Sequence, residues 1–185
     1  MGCTKSTATL VTENETTQSN EIIIKKKSSI HKSKTNKDTL DLDDFINQML
    51  KLHNGERKKN NSNELILNEA LNLLATEYSE NLISKQEKVN FKNYMFNGII
   101  LGENIAFSET KEAKKIFELW LKKDVNYEKT NKKFSKANAH YTQIIWKNTT
   151  EVGISICHDV ENKKYCTVIL YNPPGNTLGS FPENI

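Results

Sequence analysis

The spacing of apolar residues divides the chain into a polar N-terminal stretch and a body with clear periodicity. From Thr39 onward, three segments repeat apolar residues with the 3.6-residue period of a helix that packs on one face. Asp41 or Asp43 can cap the first of these helices. The apolar positions are Phe45, Ile46, Met49, Leu50 and Leu52 in the first; Leu67, Leu71, Leu74, Ala75, Tyr78 and Leu82 in the second; and Ala113, Ile116, Phe117, Trp120 and Leu121 in the third.

The C-terminal part of the body is typical of strands. Residues 152–157 and 165–171 are rich in β-branched side chains and flank a polar turn at 159–164, which predicts an antiparallel hairpin. Residues 91–107 are apolar and aromatic but contain Gly98 and Gly102, so we expect a loop packed on the core there. Helices followed by an antiparallel hairpin predict an α+β domain in which helices cover the faces of a sheet.

Charge and composition set the first 38 residues apart. They contain seven Lys and four acidic residues, which leaves 19 basic and 19 acidic residues in positions 39–185, so the net charge of +3 belongs to this stretch. A neutral body lacks the basic face that tight binding to phosphates requires, which argues against a nucleic-acid-binding protein. Residues 1–38 also lack aromatic residues and a sustained apolar period, and we interpret them as a disordered tether.

The tether carries signals for attachment to a membrane. Gly2 follows Met1 and Ser6 stands at the sixth position, which fits the pattern for N-myristoylation, and Cys3 is available for a second acyl chain. The lysines at 25–27 add attraction to an anionic leaflet. The alternative is a coincidental start and a tail that only aids solubility. A different anchor, the lipid-bearing cysteine of a bacterial lipoprotein at Cys3, would place the domain on the outer surface rather than on the cytoplasmic leaflet.

Two of the four histidines are candidates for chemistry. His31 lies in the tether and His158 beside the hairpin turn, so both are expected in solvent. His53 and His140 lie among apolar and aromatic neighbours with polar residues beside them. A single histidine is more often a satisfied core or surface residue than a ligand, and a separation of 87 residues does not say that the two meet.

Five motifs occur in order along the body of the chain. They are His53-Asn-x-x-Arg57, Gly102-Glu103-Asn104-Ile105-Ala106, Trp120 with Tyr127, the run from His140 to Trp146, and Tyr171-Asn-Pro-Pro-Gly175-Asn176. Together they resemble the CAP superfamily, the cysteine-rich secretory, antigen 5 and pathogenesis-related 1 proteins. The resemblance implies an α-β-α sandwich with a three- to four-stranded antiparallel sheet between helix layers, in a CAP (SCP) domain at residues 39–185. It also implies a cleft in which two histidines and two glutamates converge.

Carried over by position, the resemblance assigns the cleft to His53, Glu103, Lys123 and His140. Lys123 stands where the family has its second glutamate, with Asp124 one step further along. A lysine facing Glu103 would form an ion pair and disfavour a dication nearby. Two neutral imidazoles with water can still bind zinc, so we expect His53 and His140 to hold a divalent metal only loosely.

The cysteines distinguish this chain from secreted members of the family. Cys157 and Cys166 face each other if the hairpin turn centres on residues 161 and 162, and they are either a cross-strand thiol pair, a bridge, or two half-buried small hydrophobic residues. The low cysteine content resembles the Golgi-associated branch, whose members are myristoylated and bind acidic lipid surfaces.

The leading hypothesis is therefore a non-enzymatic CAP-domain binding protein anchored at a membrane surface. The resemblance implies sterol, fatty acid or acidic phospholipid as ligands and a homodimer as a possible assembly. One alternative is a zinc-dependent hydrolase with Glu103 as general base and His140 as acid in a cleft with His53. Another is a bacterial surface lipoprotein that contacts a host protein.

Overall fold

A computed structural model of the chain describes residues 41–84, 95–122 and 134–185, all within one compact unit that spans residues 40–185. The helices are α1 (Leu42–Lys59), α2 (Glu69–Ser84), α3 (Ala113–Trp120), α4 (Ala139–Ile145) and α5 (Phe181–Asn184), and a 3₁₀ turn, Lys136–Asn138, precedes α4. The strands are β1 (Ile66–Leu67), β2 (Met95–Phe96), β3 (Ile99–Ile100), β4 (Gly102–Ser108), β5 (Glu151–Asp159) and β6 (Lys164–Asn172).

Four strands form the main sheet in the order β1-β5-β6-β4. Strands β5 and β6 pair antiparallel as the predicted hairpin, and β4 pairs antiparallel with β6 along its whole length. The two-residue strand β1 adds to β5 in parallel orientation. The sheet therefore has three antiparallel strands and one short parallel strand at its edge.

Helix α1 starts where its capping residue predicts. The side chain of Asp41 accepts a hydrogen bond from the backbone N–H of Asp44 at 3.0 Å, which satisfies one of the free donors of the first turn. Phe45 and Met49 are buried, and His53 and Arg57 continue the same stripe at intervals of four residues. The face of α1 that enters the core thus begins apolar and ends with two buried polar side chains.

The sheet separates two apolar cores, as in an α-β-α sandwich. Side chains of α1, α3 and α4 pack on one face, which we call the three-helix face, together with Ile154 and Ile169 of the sheet. Helix α2 packs on the other face, which we call the α2 face, against Val168 and Leu170. The α+β sandwich with helix layers on both sides is confirmed.

Helix α2 approaches the sheet so closely that one strand position must be glycine. A Cβ atom built on Gly153 would collide with the backbone of Leu71, because β5 and α2 are in direct contact there. Any side chain at this position would push the helix away from the sheet.

The expectation of a loop at residues 91–107 was wrong for the part that the structure describes. Strands β2 and β3 form a small antiparallel ribbon whose turn, Asn97 and Gly98, has positive φ angles of 50° and 78°. Residues 102–108 form β4 of the main sheet. The glycines mark a tight turn and the start of a strand, because hairpin turns of this type favour Asn-Gly.

Residues 1–40, 85–94 and 123–133 lie outside the described residues. The predictions for the tether, including the anchors at Gly2 and Cys3, and for Lys123 and Tyr127 therefore stay predictions. Among the helices that are described, none has the length and apolar character needed to cross a bilayer.

Candidate functional site

His53 lies in the core rather than in an open cleft. Its ring is fully buried on the three-helix face, where Nδ1 lies 2.8 Å from the carbonyl oxygen of Met49 and Nε2 lies 2.8 Å from the hydroxyl of Tyr171. A carbonyl only accepts, so Nδ1 carries the proton and Nε2 accepts a hydrogen bond from Tyr171. Burial lowers the pKa of His53 to about 4, with the Met49 hydrogen bond opposing and the charge of Arg57 reinforcing this effect. Both nitrogens of the neutral His53 ring are therefore engaged in buried hydrogen bonds.

The hydroxyl of Tyr171 extends this buried chain to β4. It accepts a hydrogen bond of 3.1 Å from the amide of Asn104, which also donates to the backbone carbonyl of His140 at 3.2 Å. The ring of Phe117 lies 4.9 Å from that of His53 and closes the pocket from the side of α3. Residues from four of the five sequence motifs thus meet in one buried network, together with a ring from α3.

Arg57 binds backbone carbonyls instead of a carboxylate. Its guanidinium is buried and donates to Asn63 at 2.6 Å, to Ile144 and Trp146 at 2.9 and 2.8 Å, and to Thr149 at 2.8 Å. Burial lowers its pKa to about 10, which leaves the side chain charged at neutral pH. In the His53-Asn-x-x-Arg57 motif, Arg57 therefore has a structural role: it joins α1 to the end of α4 and to the residues that follow it.

Glu103 lies on the opposite side of the sheet from His53. Successive residues of a strand point to opposite faces, and Asn104 points to the three-helix face while Glu103 points to the α2 face. There burial raises the pKa of its carboxyl, and the nearby hydroxyl of Tyr78 on α2 partly opposes this effect. The expectation that Glu103 and His53 share a cleft was wrong for this reason.

His140 is the most exposed of the three candidates that the structure describes. It lies in the first turn of α4 with an exposed side chain, and its ring centre is 6.4 Å from that of Trp120. Partial burial lowers its pKa. The fourth predicted position, Lys123, lies outside the described residues.

These placements do not fit a zinc centre built on His53. Its two nitrogens are already used by Met49 and Tyr171, so a metal would have to break a buried hydrogen bond. Within the described ranges, no three His, Cys, Asp or Glu side chains come together in a group that could hold a metal ion. The assignment of His53 as a metal ligand is thus corrected.

Gln143 explains why two of the motifs contain glycine. Its Oε1 accepts a hydrogen bond of 2.7 Å from the backbone N–H of Gly175, and its Nε2 donates to Thr149. A Cβ atom on Gly102 or on Gly175 would collide with this amide. Sequence reasoning identified these motifs but missed the contact that requires them.

A surface groove between α1 and α3 was also missed. It has a volume of about 470 Å³, an apolar floor and charged side chains along its rim. The sequence offered only a glycine, Gly55, inside the first predicted helix. The structure shows that a Cβ atom at this position would meet nothing within 4 Å. The groove is lined by Gln48, Lys51, Leu52, Gly55, Glu56, Lys59, Lys114, Phe117, Glu118 and Leu121.

Comparison with known proteins agrees with the motifs and the fold. A family model described as "Cysteine-rich secretory protein family" (CAP) matches residues 50–171. The human Golgi-associated plant pathogenesis-related protein 1 is 31% identical over 144 residues, which cover 76% of this chain and 92% of that protein. Venom allergen 5 of Polistes gallicus is 39% identical over 89 residues, 43% of each chain.

Solved structures with low identity share the fold. The Schistosoma mansoni venom allergen-like protein 4 matches with a TM-score of 0.55 at 20% identity, over 71% of this chain and 88% of that one. A structure of NaASP2 with Zn²⁺ matches with a TM-score of 0.54 at 20% identity, over 72% and 81%. From its motifs, its fold and its match to the family model, this chain belongs to the CAP family of cysteine-rich secretory proteins.

Proposed function

We propose that the protein is a non-enzymatic CAP-domain binding module held at a membrane surface by lipid on its N-terminal tether. The support for the anchor is in the sequence: Gly2 and Ser6 fit the myristoylation pattern, Cys3 can take an acyl chain, and the lysines at 25–27 favour an anionic surface. A single acyl chain holds a protein only marginally, so the basic cluster would act as the second signal.

One observation argues most directly for binding over catalysis. The hydrolase expected from the motifs, with Glu103 as base and His140 as acid, also needs His53 in the same cleft as a zinc ligand, and the sheet lies between Glu103 and His53. His53 is also fully buried, so neither substrate nor water reaches its ring without unfolding of the core.

Zinc would be held loosely at most. One of the structural neighbours, NaASP2, was solved with Zn²⁺, but in the described part of this chain the accessible His140 lies in no group of three metal-binding side chains. We expect calorimetric titration of the full chain to detect no submicromolar zinc site. Submicromolar binding that is lost in His140→Ala would contradict this.

The groove between α1 and α3 supports a role in binding an acyl chain or a related amphiphile. Its volume of about 470 Å³ lies within the range typical of ligand sites, roughly 300–1,000 Å³. Its apolar lining residues are Leu52, Phe117 and Leu121. Its charged lining residues are three lysines and two glutamates, a small positive excess that favours an acidic head group: Lys51, Lys59, Lys114, Glu56 and Glu118. Fatty acids and acidic phospholipids combine these two chemistries.

The anchor is tested with the full chain and acidic vesicles. We expect the native protein to sediment with phosphatidylserine vesicles, and Gly2→Ala to lose binding if Gly2 carries the lipid, whereas Cys3→Ser would lose it if the anchor is a lipoprotein cysteine. Intact mass of the native N-terminus gives the independent readout: a myristoyl group on Gly2 or a diacylglyceryl group on Cys3. An unmodified N-terminus together with undiminished vesicle binding would refute the proposed anchor.

The groove is tested by filling it. Gly55→Leu adds a side chain into the open space and should weaken binding of a fluorescent fatty acid at least about tenfold, which corresponds to ~1.4 kcal/mol. Val160→Leu, an enlargement at the exposed hairpin turn, is the matched control and should bind as the wild type does. Equal affinities for the two variants would place the ligand elsewhere.

A further inference from the structure

The β5–β6 hairpin holds two free thiols directly opposite each other. Cys157 and Cys166 are paired residues in the register of the two strands. Both side chains lie on the α2 face, where Cys166 is part of the core and Cys157 touches Ser79 of α2. Both thiols are free, and neither takes part in the buried network around His53.

Opposed residues on the same face of antiparallel strands are close enough to be joined. Their Cβ atoms are typically ~4.5–5.5 Å apart, whereas a disulfide needs ~3.5–4.5 Å, so the strands would have to approach by about 1 Å. Only two further residue pairs, His158 with Tyr165 and Asp159 with Lys164, separate the thiols from the turn. Cys166 is also paired with Phe107 of β4, so the movement falls on β5, whose pairing with β1 is confined to Glu151 and Val152. A strand paired on one side adapts to such a shift more easily than one held on both sides.

We propose that Cys157 and Cys166 are a site of reversible oxidation that forms an intramolecular cross-strand disulfide by exchange with a low-molecular-weight disulfide such as oxidised glutathione. Cys157 is half-buried and reacts first, while Cys166 is fully buried and completes the bond. The pair is distinct from the predicted lipid-bearing Cys3, which lies in the tether.

The exchange proceeds in two balanced steps. The deprotonated thiol of Cys157 attacks one sulfur of oxidised glutathione, which forms a mixed disulfide and releases one glutathione thiolate. The deprotonated thiol of Cys166 then attacks the sulfur of Cys157 and releases the second glutathione. The two cysteines lose two electrons and two protons in total, and the oxidised glutathione becomes two molecules of reduced glutathione.

The surroundings of the two cysteines determine how fast the disulfide forms and which contact it changes. Burial raises the pKa of Cys157 and raises that of Cys166 to about 12, so the reactive thiolates are scarce at neutral pH. The initial rate should therefore rise roughly tenfold per pH unit between pH 7 and 8. The bond would also remove the 2.9 Å contact between the Cys157 thiol and the Ser79 hydroxyl, which links β5 to α2.

Intact mass spectrometry of the full chain in a Cys3→Ser background tests the site. After incubation with oxidised glutathione at pH 8.5, we expect a monomer that has lost two hydrogen atoms and no longer reacts with a thiol reagent. Reduced glutathione should restore both thiols. Cys166→Ser should stop at one glutathione adduct, and Cys157→Ser should form no internal bridge.

The Cys3→Ser chain, which keeps both hairpin cysteines, tests the proposal even if Cys157→Ser or Cys166→Ser does not fold. A persistent glutathione adduct, a disulfide-linked dimer, or two unmodified thiols would each overturn the proposal, provided that the same chain forms the bridge when unfolded in denaturant. A bridge that only the denatured chain forms would show that the folded hairpin cannot accommodate it.

Discussion

The buried neutral ring of His53 predicts a specific loss of stability in acid. In the unfolded chain the ring titrates near its ordinary pKa of 6.5, whereas in the folded protein burial lowers that pKa to about 4. The unfolded state therefore takes up the proton first as the pH falls. Stability from this group is fully present above pH 6.5, and it decreases from there until the folded ring is itself protonated below about pH 4.

The size of the effect follows from the difference between the two pKa values. At ~1.36 kcal/mol per pKa unit, the full loss is about 3 kcal/mol, of which about 2.5 kcal/mol falls between pH 7.5 and pH 4.5. This is a large fraction of the 5–15 kcal/mol that is typical of folded domains. No discount for solvent applies, because the ring is fully buried.

Urea unfolding of the wild type and of His53→Gln across this pH range isolates the contribution. Glu103 and His140 also have shifted pKa values, but both chains contain them, so their effects cancel in the difference. The wild type should be more stable at pH 7.5, and its advantage should shrink by about 2.5 kcal/mol at pH 4.5. His158→Gln, which removes an exposed histidine, is the matched control and should follow the wild type.

Parallel stability profiles for the wild type and His53→Gln would refute this reasoning. They would mean that the folded protein protonates His53 as readily as the unfolded chain does. NMR of the ring nitrogens gives an independent check: in the folded state at pH 6, the proton should be on Nδ1 and not on Nε2.

Other variants test the packing around the site. Arg57→Lys keeps the charge but cannot reach all four carbonyls, so urea unfolding should show a loss of about 3–5 kcal/mol; a loss below ~1 kcal/mol would contradict the role of the guanidinium. Gly153→Ala drives a methyl group into the backbone of Leu71 and should destabilise the protein by about 2 kcal/mol or more in the same assay. Gly55→Ala, its matched counterpart in open space, should raise the free energy of unfolding by about 0.5–1 kcal/mol. The reverse pattern, with Gly153→Ala stabilising and Gly55→Ala destabilising, would refute the close approach at Gly153 and the open space at Gly55.

Helices α1, α2 and α3 and the β5–β6 hairpin were predictable because their signals are local, whereas the short helices α4 and α5 were not predicted. A side chain on α1 or α3 is buried or exposed according to its position in a 3.6-residue period, and that period can be read without knowing the partner surface. The register of Cys157 with Cys166 was also predictable, since the position of a single turn sets every pair in a hairpin. Strand β4 was missed because its pairing with β6 joins residues about 60–70 positions apart.

The candidate cleft shows that motif positions in the sequence are not enough to predict which side chains meet in a site. His53 and Glu103 each match a motif, and the motifs do meet in space, but through Asn104, Tyr171 and backbone groups. The sequence does not state which of two neighbouring residues, Glu103 or Asn104, faces α1. That choice depends on the register of β4 against β6, and a shift by one residue would exchange their faces.

The amino-acid sequence by itself determined membership of the CAP family, the α+β class, the approximate positions of α1, α2, α3 and the hairpin, and the distinct composition of residues 1–38. Only the tertiary structure decided that His53 and Arg57 are buried structural residues, that Glu103 lies on the far side of the sheet, and that a groove opens beside Gly55. The physical reason is that periodicity and motifs record the preferences of single segments. Burial, the side of a sheet and open space arise only when distant segments pack together.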